Sequence, residues 1–323
     1  MGTGGVANAF AEALHDVPGT ELAGAWSRDA TRARAFLDRQ GQSLGAFGPY
    51  DQLDEDAAVD VVYVATPVSH HYRHALTALR AGKPVLVEKA FTTNAAQALA
   101  LWVEARDLGL FLMEAMWPRL SPSWRRLDGL ILAGEIGEVR AVDARFGGRA
   151  VVAPQTRPFR NDLAGGALMD GAVYPISLAQ MVLGLVTIEV RAVAEIGSTG
   201  VDEQVAVVMR SPSGQLATAT GGITTTFDAT ATVYGTEGMI VMPGFTFPGW
   251  LRVDRPGRDA ETYDFDQTRH RLAWQVDEVE ACVPAGLTES PAMPLSASYE
   301  VMRVLDRARE QIGLRFPEEA EAL

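Results

Sequence analysis

Cysteine and long apolar runs are scarce in this sequence, and each scarcity excludes a class of protein. The single cysteine, Cys282, has no partner for a disulfide within the chain. No uninterrupted apolar run approaches the roughly 20 residues that a membrane helix needs. The N-terminus also lacks the charged-then-apolar layout of a signal peptide. We therefore expect a cytoplasmic protein without a membrane partner.

Positive charge is scarce as well. The 28 Lys and Arg residues stand against 41 Asp and Glu residues, which gives a formal net charge of -13. Nucleic acid is therefore disfavoured as a partner, although a small anionic ligand responds to local charge only. With 323 residues, of which 47% are hydrophobic, the chain is long enough for two domains with large cores.

Strand-like and helix-like stretches alternate through the first 117 residues. Apolar runs predict buried strands at 21–26, 59–65, 85–88 and 110–115. Helical periodicity fills the intervals at 8–17, 30–40, 70–82 and 94–108, while 41–50 is turn-rich. This alternation predicts a doubly wound α/β domain with a parallel sheet. We assign residues 1–117 to a Rossmann-like, dinucleotide-binding domain.

A glycine-rich stretch opens the chain and fits the pattern G-x-G-x-x-A before a helix. It consists of Gly2, Thr3, Gly4, Gly5 and Val6. Glycines let backbone N–H groups approach a pyrophosphate, and the helix N-terminus supplies partial positive charge. The pattern has meaning directly after a buried strand, and no strand precedes it here. We expect that residues are missing at this start, because an absent first strand would leave a central slot of the sheet empty.

The residues after the strand at 21–26 bear on which dinucleotide is bound. An acidic residue at this strand end bonds the ribose 2′-hydroxyl of NAD, whereas an arginine accommodates the 2′-phosphate of NADP. Ser27 and Arg28 follow the strand here, and a guanidinium pairs with phosphate and stacks on adenine. NADP is therefore preferred, while the nearby Asp29 keeps NAD as the alternative.

Three histidines lie near the start of the helix predicted after the third strand. His70 and His74 are spaced as zinc ligands often are, but no third ligand of the usual type is linked to them by spacing, so no metal is predicted. Thr66 and Pro67 follow the strand end, and His71 comes shortly after them. We place Thr66, Pro67 and His71 beside the cofactor.

The apolar strand that starts at Val85 ends in two charged residues, Glu88 and Lys89. Charges at such a place are costly to bury unless they are paired or face a ligand. Ligands of doubly wound sheets bind outside the carboxyl ends of the strands. Lys89 is therefore the first catalytic candidate, and the alternative is a solvated lysine that begins a loop. Glu88 is predicted to fix the strand end beside the cofactor.

Past Trp117 the pattern changes. Period-2 alternation predicts strands at 137–146, 188–196, 204–210, 216–224, 231–234 and 239–242, with helices at 124–133, 270–282 and 296–312. Residues 118–323 are thus predicted to form an α+β domain with a large, mostly antiparallel sheet, which binds substrate and dimerises. One face of this sheet needs covering, and a second copy of the chain would cover it. The C-terminal helices are candidates for packing back on the first domain.

Two glycines in the second domain lead into a predicted helix that carries Asp170 and Tyr174. The two residues are four apart and share an otherwise apolar face, where proton transfer would explain them. A phenol with an ordinary pKa of about 10 is a poor base near pH 7, but an adjacent lysine such as Lys89 would lower that pKa. The alternative is an aspartate favoured by the helix dipole and a core tyrosine bonded to backbone.

Taken in order, these motifs resemble the glucose-fructose oxidoreductase/inositol dehydrogenase (Gfo/Idh/MocA) family over essentially the whole chain. The resemblance rests on the glycine-rich start, Ala-Thr-Pro at 65–67, His71, Glu-Lys at 88–89, Gly-Gly-Ala-Leu-Met-Asp at 165–170, and the terminal segment 311–317. Within the family, residues 113–117 and the pair Asp170 with Tyr174 look like the branch of dimeric trans-dihydrodiol dehydrogenases and NADP-dependent D-xylose dehydrogenases. Ala90 stands where the family has proline after Glu-Lys.

The resemblance implies a Rossmann domain with a nicotinamide dinucleotide, and a homodimer formed through the open sheet of the second domain. It implies that Lys89 contacts the substrate hydroxyl and the nicotinamide ribose, that Tyr174 is the acid/base, and that Asp170 contacts substrate or Lys89. The substrate pocket would be lined by Trp117 and by two loops. One loop, at 146–159, begins with Phe146, and the other spans 246–250.

We therefore expect an oxidoreductase that transfers a hydride between NADP, or NAD, and a carbinol carbon of a sugar, polyol or dihydrodiol. One alternative is an inositol or aldose dehydrogenase that uses NAD. Another is a non-catalytic, dinucleotide-sensing regulator, since the same fold also serves as a binding module. The retained Lys89, Asp170 and Tyr174 argue against a sensor, which needs no proton donor.

Overall fold

The structure is a computed structural model, and it describes residues 1–41, 45–47, 59–184 and 186–317. The chain divides into two compact units. Unit 1 comprises Met1–Leu120 and Thr268–Leu295, and unit 2 comprises Ser121–Gln267 and Ser296–Leu323. The sequence predicts one boundary after residue 117, whereas the structure also assigns residues 268–295 to unit 1.

Short parallel strands and the helices between them build the N-terminal part of unit 1. Its strands are β1 (Gly24–Trp26), β2 (Gly45–Phe47), β3 (Val62–Val64), β4 (Val85–Glu88) and β5 (Leu112–Ala115). Its helices are α1 (Gly5–Ala13), α2 (Ala30–Arg39), α3 (His71–Arg80) and α4 (Ala95–Leu108). β1 pairs with β2, and β3, β4 and β5 form a second parallel sheet. The predicted parallel α/β architecture is confirmed.

Burial explains why the strands of unit 1 are mostly apolar. All four residues of β4 are buried, and so are all four of β5. A strand covered on both faces has no reason to alternate apolar with polar residues. β2 was missed, because the sequence predicts only turns at 41–50; residues 42–44 and 48–50 of that stretch lie outside the described residues.

Unit 2 is built on a large sheet. It contains α5 (Pro122–Leu132), β6 (Val139–Gly147), α6 (Val173–Leu183), β7 (Glu189–Ile196), β8 (Asp202–Arg210), β9 (Leu216–Gly222), β10 (Ala231–Gly235), β11 (Met239–Met242), β12 (Trp250–Asp254) and β13 (Glu261–Asp264). The eight strands are ordered β13-β12-β11-β10-β6-β9-β8-β7, and only β6 and β9 pair in parallel. The predicted, mostly antiparallel sheet is confirmed. The chain then forms α7 (Ala273–Cys282) in unit 1 and α8 (Leu295–Ile312) largely in unit 2.

The sequence misses the two strands at one edge of this sheet. β13 carries Glu-Thr-Tyr-Asp and buries none of these residues, so it shows no apolar alternation. β12 begins at Trp250, which the sequence places in a loop. An exposed edge strand is set by pairing with its neighbour rather than by burial, and such pairing leaves little trace in the residue pattern.

One helical stretch of unit 2, residues 161–183, is long and apolar enough to cross a membrane, with a mean hydropathy of 1.2. The sequence criterion missed it because that criterion counts uninterrupted apolar residues. Since 78% of its most apolar window is buried inside the protein, the stretch has the character of a core helix. Gly221 of β9 explains its tight packing, because a Cβ there would lie 2.7 Å from the Ala172 nitrogen.

Candidate active site

The glycine-rich stretch leads directly into α1 and leaves its N-terminus open. Gly2 has φ +93°, and a Cβ there would lie 2.6 Å from the Ala65 carbonyl oxygen, so only glycine fits. A Cβ at Gly4 or Gly5 would meet no atom within 4 Å. The first turn of α1 carries no acidic residue. The backbone N–H groups and the dipole of this helix end therefore fit a phosphate group.

The other members of the predicted glycine-rich loop lie beside this opening. Thr3 is half-buried and Val6 is exposed in the first turn of α1. The residues after β1 differ in their surroundings: Ser27 is buried, whereas Arg28 is exposed. Asp29 is the N-cap of α2, and its Oδ1 accepts a hydrogen bond of 2.8 Å from the Thr31 N–H. The Asp29 carboxylate thus has a structural role at the helix end.

The His71 side chain contacts the segments that follow β3 and β4. Its ring is buried, with Nδ1 2.9 Å from the Ala90 carbonyl oxygen and Nε2 2.8 Å from the Thr66 carbonyl oxygen. Carbonyl oxygens only accept, so the imidazolium form would donate to both. His71 therefore holds the backbone at Thr66 and at Ala90, the residue after Lys89. Pro67, next in the chain, is half-buried.

His74 is held neutral by its surroundings. Its Nδ1 lies 3.0 Å from Thr66 Oγ1, and burial, together with the nearby His70, lowers the pKa of His74 to about 3. Among the described residues, no group of three or more His, Cys, Asp or Glu side chains could hold a metal ion.

Glu88 and Lys89 end β4 in different environments. The Glu88 carboxylate is buried; its Oε1 accepts 2.5 Å from the Tyr63 hydroxyl and its Oε2 accepts 3.2 Å from the Lys89 N–H. Lys89 itself is half-buried, and the peptide bond to Ala90 is cis. The structure thus places Glu88 where it fixes the strand end, with Lys89 at the carboxyl edge of the β3-β4-β5 sheet.

Trp117 lies in unit 1, in a short helical turn that follows β5. Only 6% of this residue is exposed, and the Arg271 guanidinium carbon lies 5.5 Å from its ring centroid. That distance suits a cation–π contact. The packing of the indole against Arg271 holds it at the end of β5.

In unit 2, Asp170 lies in a wide helical turn, Leu168–Ala172, of π geometry that runs into α6. The sequence predicts an ordinary helix here, and π turns inside helices are frequent at functional sites. Asp170 Oδ1 lies 2.8 Å from the Arg157 guanidinium, which belongs to the predicted pocket loop at 146–159. The guanidinium fixes the orientation of the carboxylate.

Tyr174 is the second residue of α6. It is 7% exposed, and its ring packs edge-on against Phe146 at the end of β6, with centroids 5.0 Å apart. Phe146 in turn packs against Phe245, so a small aromatic cluster fixes the phenol ring. Unit 2 therefore contains Asp170, Tyr174 and Phe146, whereas Lys89 and Trp117 belong to unit 1.

Asp202 stabilises the start of the helical segment that carries Asp170, and the sequence analysis did not identify it. Its side chain is fully buried, and Oδ2 accepts a 2.6 Å hydrogen bond from the Leu168 N–H at the helix start. A Cβ on Gly166, which has φ +120°, would lie 2.1 Å from Asp202 Oδ1. Gly165 is equally restricted, because its Cβ would lie 2.5 Å from the Arg157 carbonyl oxygen. The Gly-Gly pair is thus required by close packing at the helix start.

Asp202 makes stability depend on pH. Burial is the main reason that the pKa of Asp202 is raised to about 7, and Asp170 adds to it. A raised carboxyl pKa stabilises the fold below the unfolded value near 4, and the gain is lost progressively between about pH 4 and pH 7. We expect the Tm advantage of wild type over Asp202→Asn to shrink by roughly 5 °C between pH 5 and pH 8. Thermal unfolding curves that shift in parallel across this range would contradict this assignment.

Comparisons with known proteins agree with both units. A model of an oxidoreductase family with an NAD-binding Rossmann fold matches residues 1–116, and a model of the GFO/IDH/MocA C-terminal domain matches residues 124–241. The trans-1,2-dihydrobenzene-1,2-diol dehydrogenase of Mus musculus is 33% identical over 328 residues, which cover 99% of this chain and 97% of that protein. The D-xylose 1-dehydrogenase (NADP(+)) of Hypocrea jecorina is 34% identical over 363 residues, which cover 98% of this chain and 92% of that protein.

A solved structure agrees as well. A 3-ketoreductase from Actinomadura kijaniata, in complex with NADP and TDP-benzene, superposes with a TM-score of 0.85 at 30% identity, over 96% of each chain. The fold and the glycine-rich helix start define an oxidoreductase that uses a nicotinamide dinucleotide. The chain belongs to the GFO/IDH/MocA family, and the resemblance inferred from the motifs is confirmed.

Proposed function

We propose that this protein catalyses reversible oxidation of a secondary carbinol in a sugar, polyol or dihydrodiol, with NADP as the preferred cofactor. Support comes from relatives that are a dihydrodiol dehydrogenase and an NADP-dependent xylose dehydrogenase over nearly the full chain. The proposal depends on the positions of two groups that can move or stabilise charge. Lys89 lies at the carboxyl edge of a parallel sheet, and Tyr174 lies at a helix start together with Asp170. When bound, the nicotinamide supplies the hydride acceptor or donor.

The side chains of the protein transfer the proton, stabilise charge and orient the substrate. Tyr174 takes the proton from the substrate hydroxyl during oxidation, and Lys89 stabilises the negative charge that develops on that oxygen. Asp170, oriented by Arg157, bonds a second polar group of the substrate. Glu88 and His71 act through the backbone, because Glu88 accepts from the Lys89 N–H and His71 bonds the carbonyl oxygen of the next residue, Ala90.

The reaction is tested by following NADP reduction at 340 nm with a panel of aldoses, polyols and trans-dihydrodiols. Saturable reduction with at least one member is expected. Tight dinucleotide binding without reduction by any member of a broad panel would contradict the proposal and favour a sensor.

The NADP preference is assigned to Arg28. Asp29 caps α2, so its carboxylate is engaged at the helix end, whereas Arg28 is exposed next to it. We expect Arg28→Ala to raise the KM for NADP about tenfold or more, since a charge-assisted bond to the 2′-phosphate is lost, and to leave the KM for NAD nearly unchanged. Arg39→Ala removes the same charge from the far end of α2 and serves as the control. An equal rise in the KM for NADP and for NAD in Arg28→Ala would contradict this assignment.

We also propose that the open face of the unit 2 sheet pairs with a second copy of the chain. α6 packs on β6 and β9, while large apolar side chains are exposed elsewhere on the sheet. They include Val193 (77% exposed), Val208, Leu216 and Tyr234. Their register through β7, β8, β9 and β6 places them on one face. Light scattering that gives a monomer mass at micromolar concentration would contradict this dimer.

A further inference from the structure

Asp202 is a titratable side chain that is fully buried and has no assigned part in the proposed reaction. It begins β8, and none of its surface is exposed. Its Oδ2 accepts a 2.6 Å hydrogen bond from the Leu168 N–H, whereas its Oδ1 has no hydrogen-bond partner within the described part of the chain. A buried oxygen without a partner costs free energy, so this placement calls for a physical reason.

The Leu168 N–H lies at the start of the wide helical turn, Leu168–Ala172. The first N–H groups of a helix have no acceptor within it, and a side-chain oxygen that accepts from one of them fixes the helix start. Such an oxygen commonly belongs to the residue just before the helix, but Ala167 precedes this turn and has no side-chain oxygen. Asp202, 34 residues later and on a strand, supplies the oxygen instead. The start of the turn is therefore held by the large sheet.

Close packing leaves this contact little room to adjust. A Cβ on Gly166, which has φ +120°, would lie 2.1 Å from Asp202 Oδ1 and 3.3 Å from the Asp202 carbonyl oxygen. The turn that leads into β8 is closed by a 2.9 Å hydrogen bond from the Gly197 N–H to the Val201 carbonyl oxygen. Close-packed groups transmit a displacement rather than absorb it. A change at the Asp202 carboxyl group should therefore move the backbone at 166–168.

The two site residues on this helical segment differ in how directly they depend on Asp202. Asp170 lies inside the wide turn, two residues after Leu168. Tyr174 lies beyond the turn in α6, and its ring is fixed separately by Phe146. A displacement at the start of the turn should therefore reach the Asp170 carboxylate first and leave the phenol of Tyr174 largely in place.

The charged groups around Asp202 are mostly acidic. Asp170 belongs to the wide turn, Glu195 lies on the paired strand β7, and Glu203 follows Asp202 in β8. The guanidinium of Arg157 pairs with Asp170, and β9, the other strand paired with β8, carries no charged residue. Burial raises the pKa of Asp202 to about 7, and the negative charge of Asp170 adds to this. Ionisation near neutral pH thus adds a negative charge next to the Asp170 turn, and no cation among the described residues pairs with it.

We propose that Asp202 is a positioning residue for substrate binding: in its neutral form it holds Leu168 so that the Asp170 carboxylate is correctly placed, and its ionisation disturbs that placement. This role rests on the proposed function, in which Asp170 bonds a second polar group of the substrate. Because Asp170 binds substrate and Tyr174 transfers the proton, the effect falls on KM rather than on kcat. Substrate affinity should therefore weaken as Asp202 ionises.

The test measures KM and kcat at pH 6 and pH 8 for wild type, Asp202→Asn, Asp202→Leu and the control Glu203→Gln, which removes the adjacent, half-buried carboxylate. We expect the wild-type KM for substrate to rise about fivefold from pH 6 to pH 8, the effect of one hydrogen bond made poorly. Glu203→Gln should show the same rise. Asp202→Asn keeps an acceptor that does not ionise, so its KM should stay nearly constant, whereas Asp202→Leu should have a raised KM at both pH values. At each pH, kcat should stay within about twofold of wild type.

A second measurement needs no substrate and follows the Leu168 amide signal in ¹⁵N-leucine-labelled protein. Its hydrogen bond goes to the titrating carboxyl group, so the signal should move between pH 6 and pH 8 in wild type and in Glu203→Gln but not in Asp202→Asn.

An equal rise of KM in wild type and in Asp202→Asn would overturn the proposal, and so would a Leu168 signal that does not move in wild type. Failure of the proposed function looks different, because it removes turnover from every variant and from wild type. Failure of the role of Asp202 alone leaves turnover intact and removes only the difference in KM between wild type and Asp202→Asn.

Discussion

Replacing Lys89 with methionine is expected to lower kcat on the order of a thousandfold, while the affinity for NADP falls far less because only one contact to the nicotinamide ribose is lost. Methionine matches the length of lysine but carries no charge, so the developing alkoxide loses its cationic partner. Turnover by NADPH absorbance and affinity by NADPH fluorescence would be measured on the same preparation. An unchanged thermal unfolding curve would show that the loss is chemical rather than structural.

The chain offers a matched control, because it contains only two lysines, Lys83 and Lys89, against 26 arginines. Lys83 precedes β4 at its opposite end, and its Nζ donates to the Val59 carbonyl oxygen at 3.1 Å. Lys83→Met removes the same charge without removing a catalytic group, and we expect it to retain kcat. A Lys89→Met enzyme with more than a tenth of wild-type turnover would refute the role of Lys89.

The scarcity of lysine itself supports this role. A chain that uses arginine for nearly every positive charge has little need of lysine for solubility or for ion pairs. An ammonium differs from a guanidinium in being compact and in titrating when its surroundings change, which suits direct contact with a reacting oxygen. Lys89→Arg keeps the charge but changes the shape, and we expect it to recover little of the activity.

The elements that sequence predicts well are those whose limits are set by local chemistry. Helix 94–108 is an example: the Asn94 side chain accepts from the Gln97 N–H at 2.9 Å, and Gly109 ends the helix with φ +65°. The buried strand that leads to Lys89 is another, because its apolar run has no other stable place. Both could be predicted, and so could a helical segment that carries Asp170 and Tyr174 four residues apart.

What the sequence does not reveal depends on contacts between distant residues. Asp202 supports a helix start that lies 34 residues earlier in the chain, and nothing in its neighbours marks it. Arg157 orients Asp170 from a loop whose conformation has no local signal. The wide turn at 168–172 likewise packs against β6 and β9, where a Cβ would lie 3.1 Å from the Phe146 carbonyl oxygen at Gly171 and 2.7 Å from the Ala172 nitrogen at Gly221.

Replacing Tyr174 with phenylalanine is expected to lower kcat between about a hundredfold and ten-thousandfold, because general acid–base catalysis is lost. Phenylalanine keeps the ring that packs against Phe146, so folding should be unaffected. Tyr234→Phe, on the exposed face of β10 in the same unit, removes one hydroxyl at no catalytic position and is the control. Besides the lower rate, Tyr174→Phe should leave the affinity for NADP unchanged, a split that a general loss of structure would not produce.

The double variant, Lys89→Met with Tyr174→Phe, decides whether the two groups serve the same oxygen. Groups that act together on one reacting atom lose their effects jointly, so the double variant should be scarcely slower than the slower single variant. Groups that act independently give free-energy losses that add, and the double variant would then be slower by the product of the two factors. An additive result would show that Lys89 and Tyr174 do not act on the same oxygen, and would contradict their joint role.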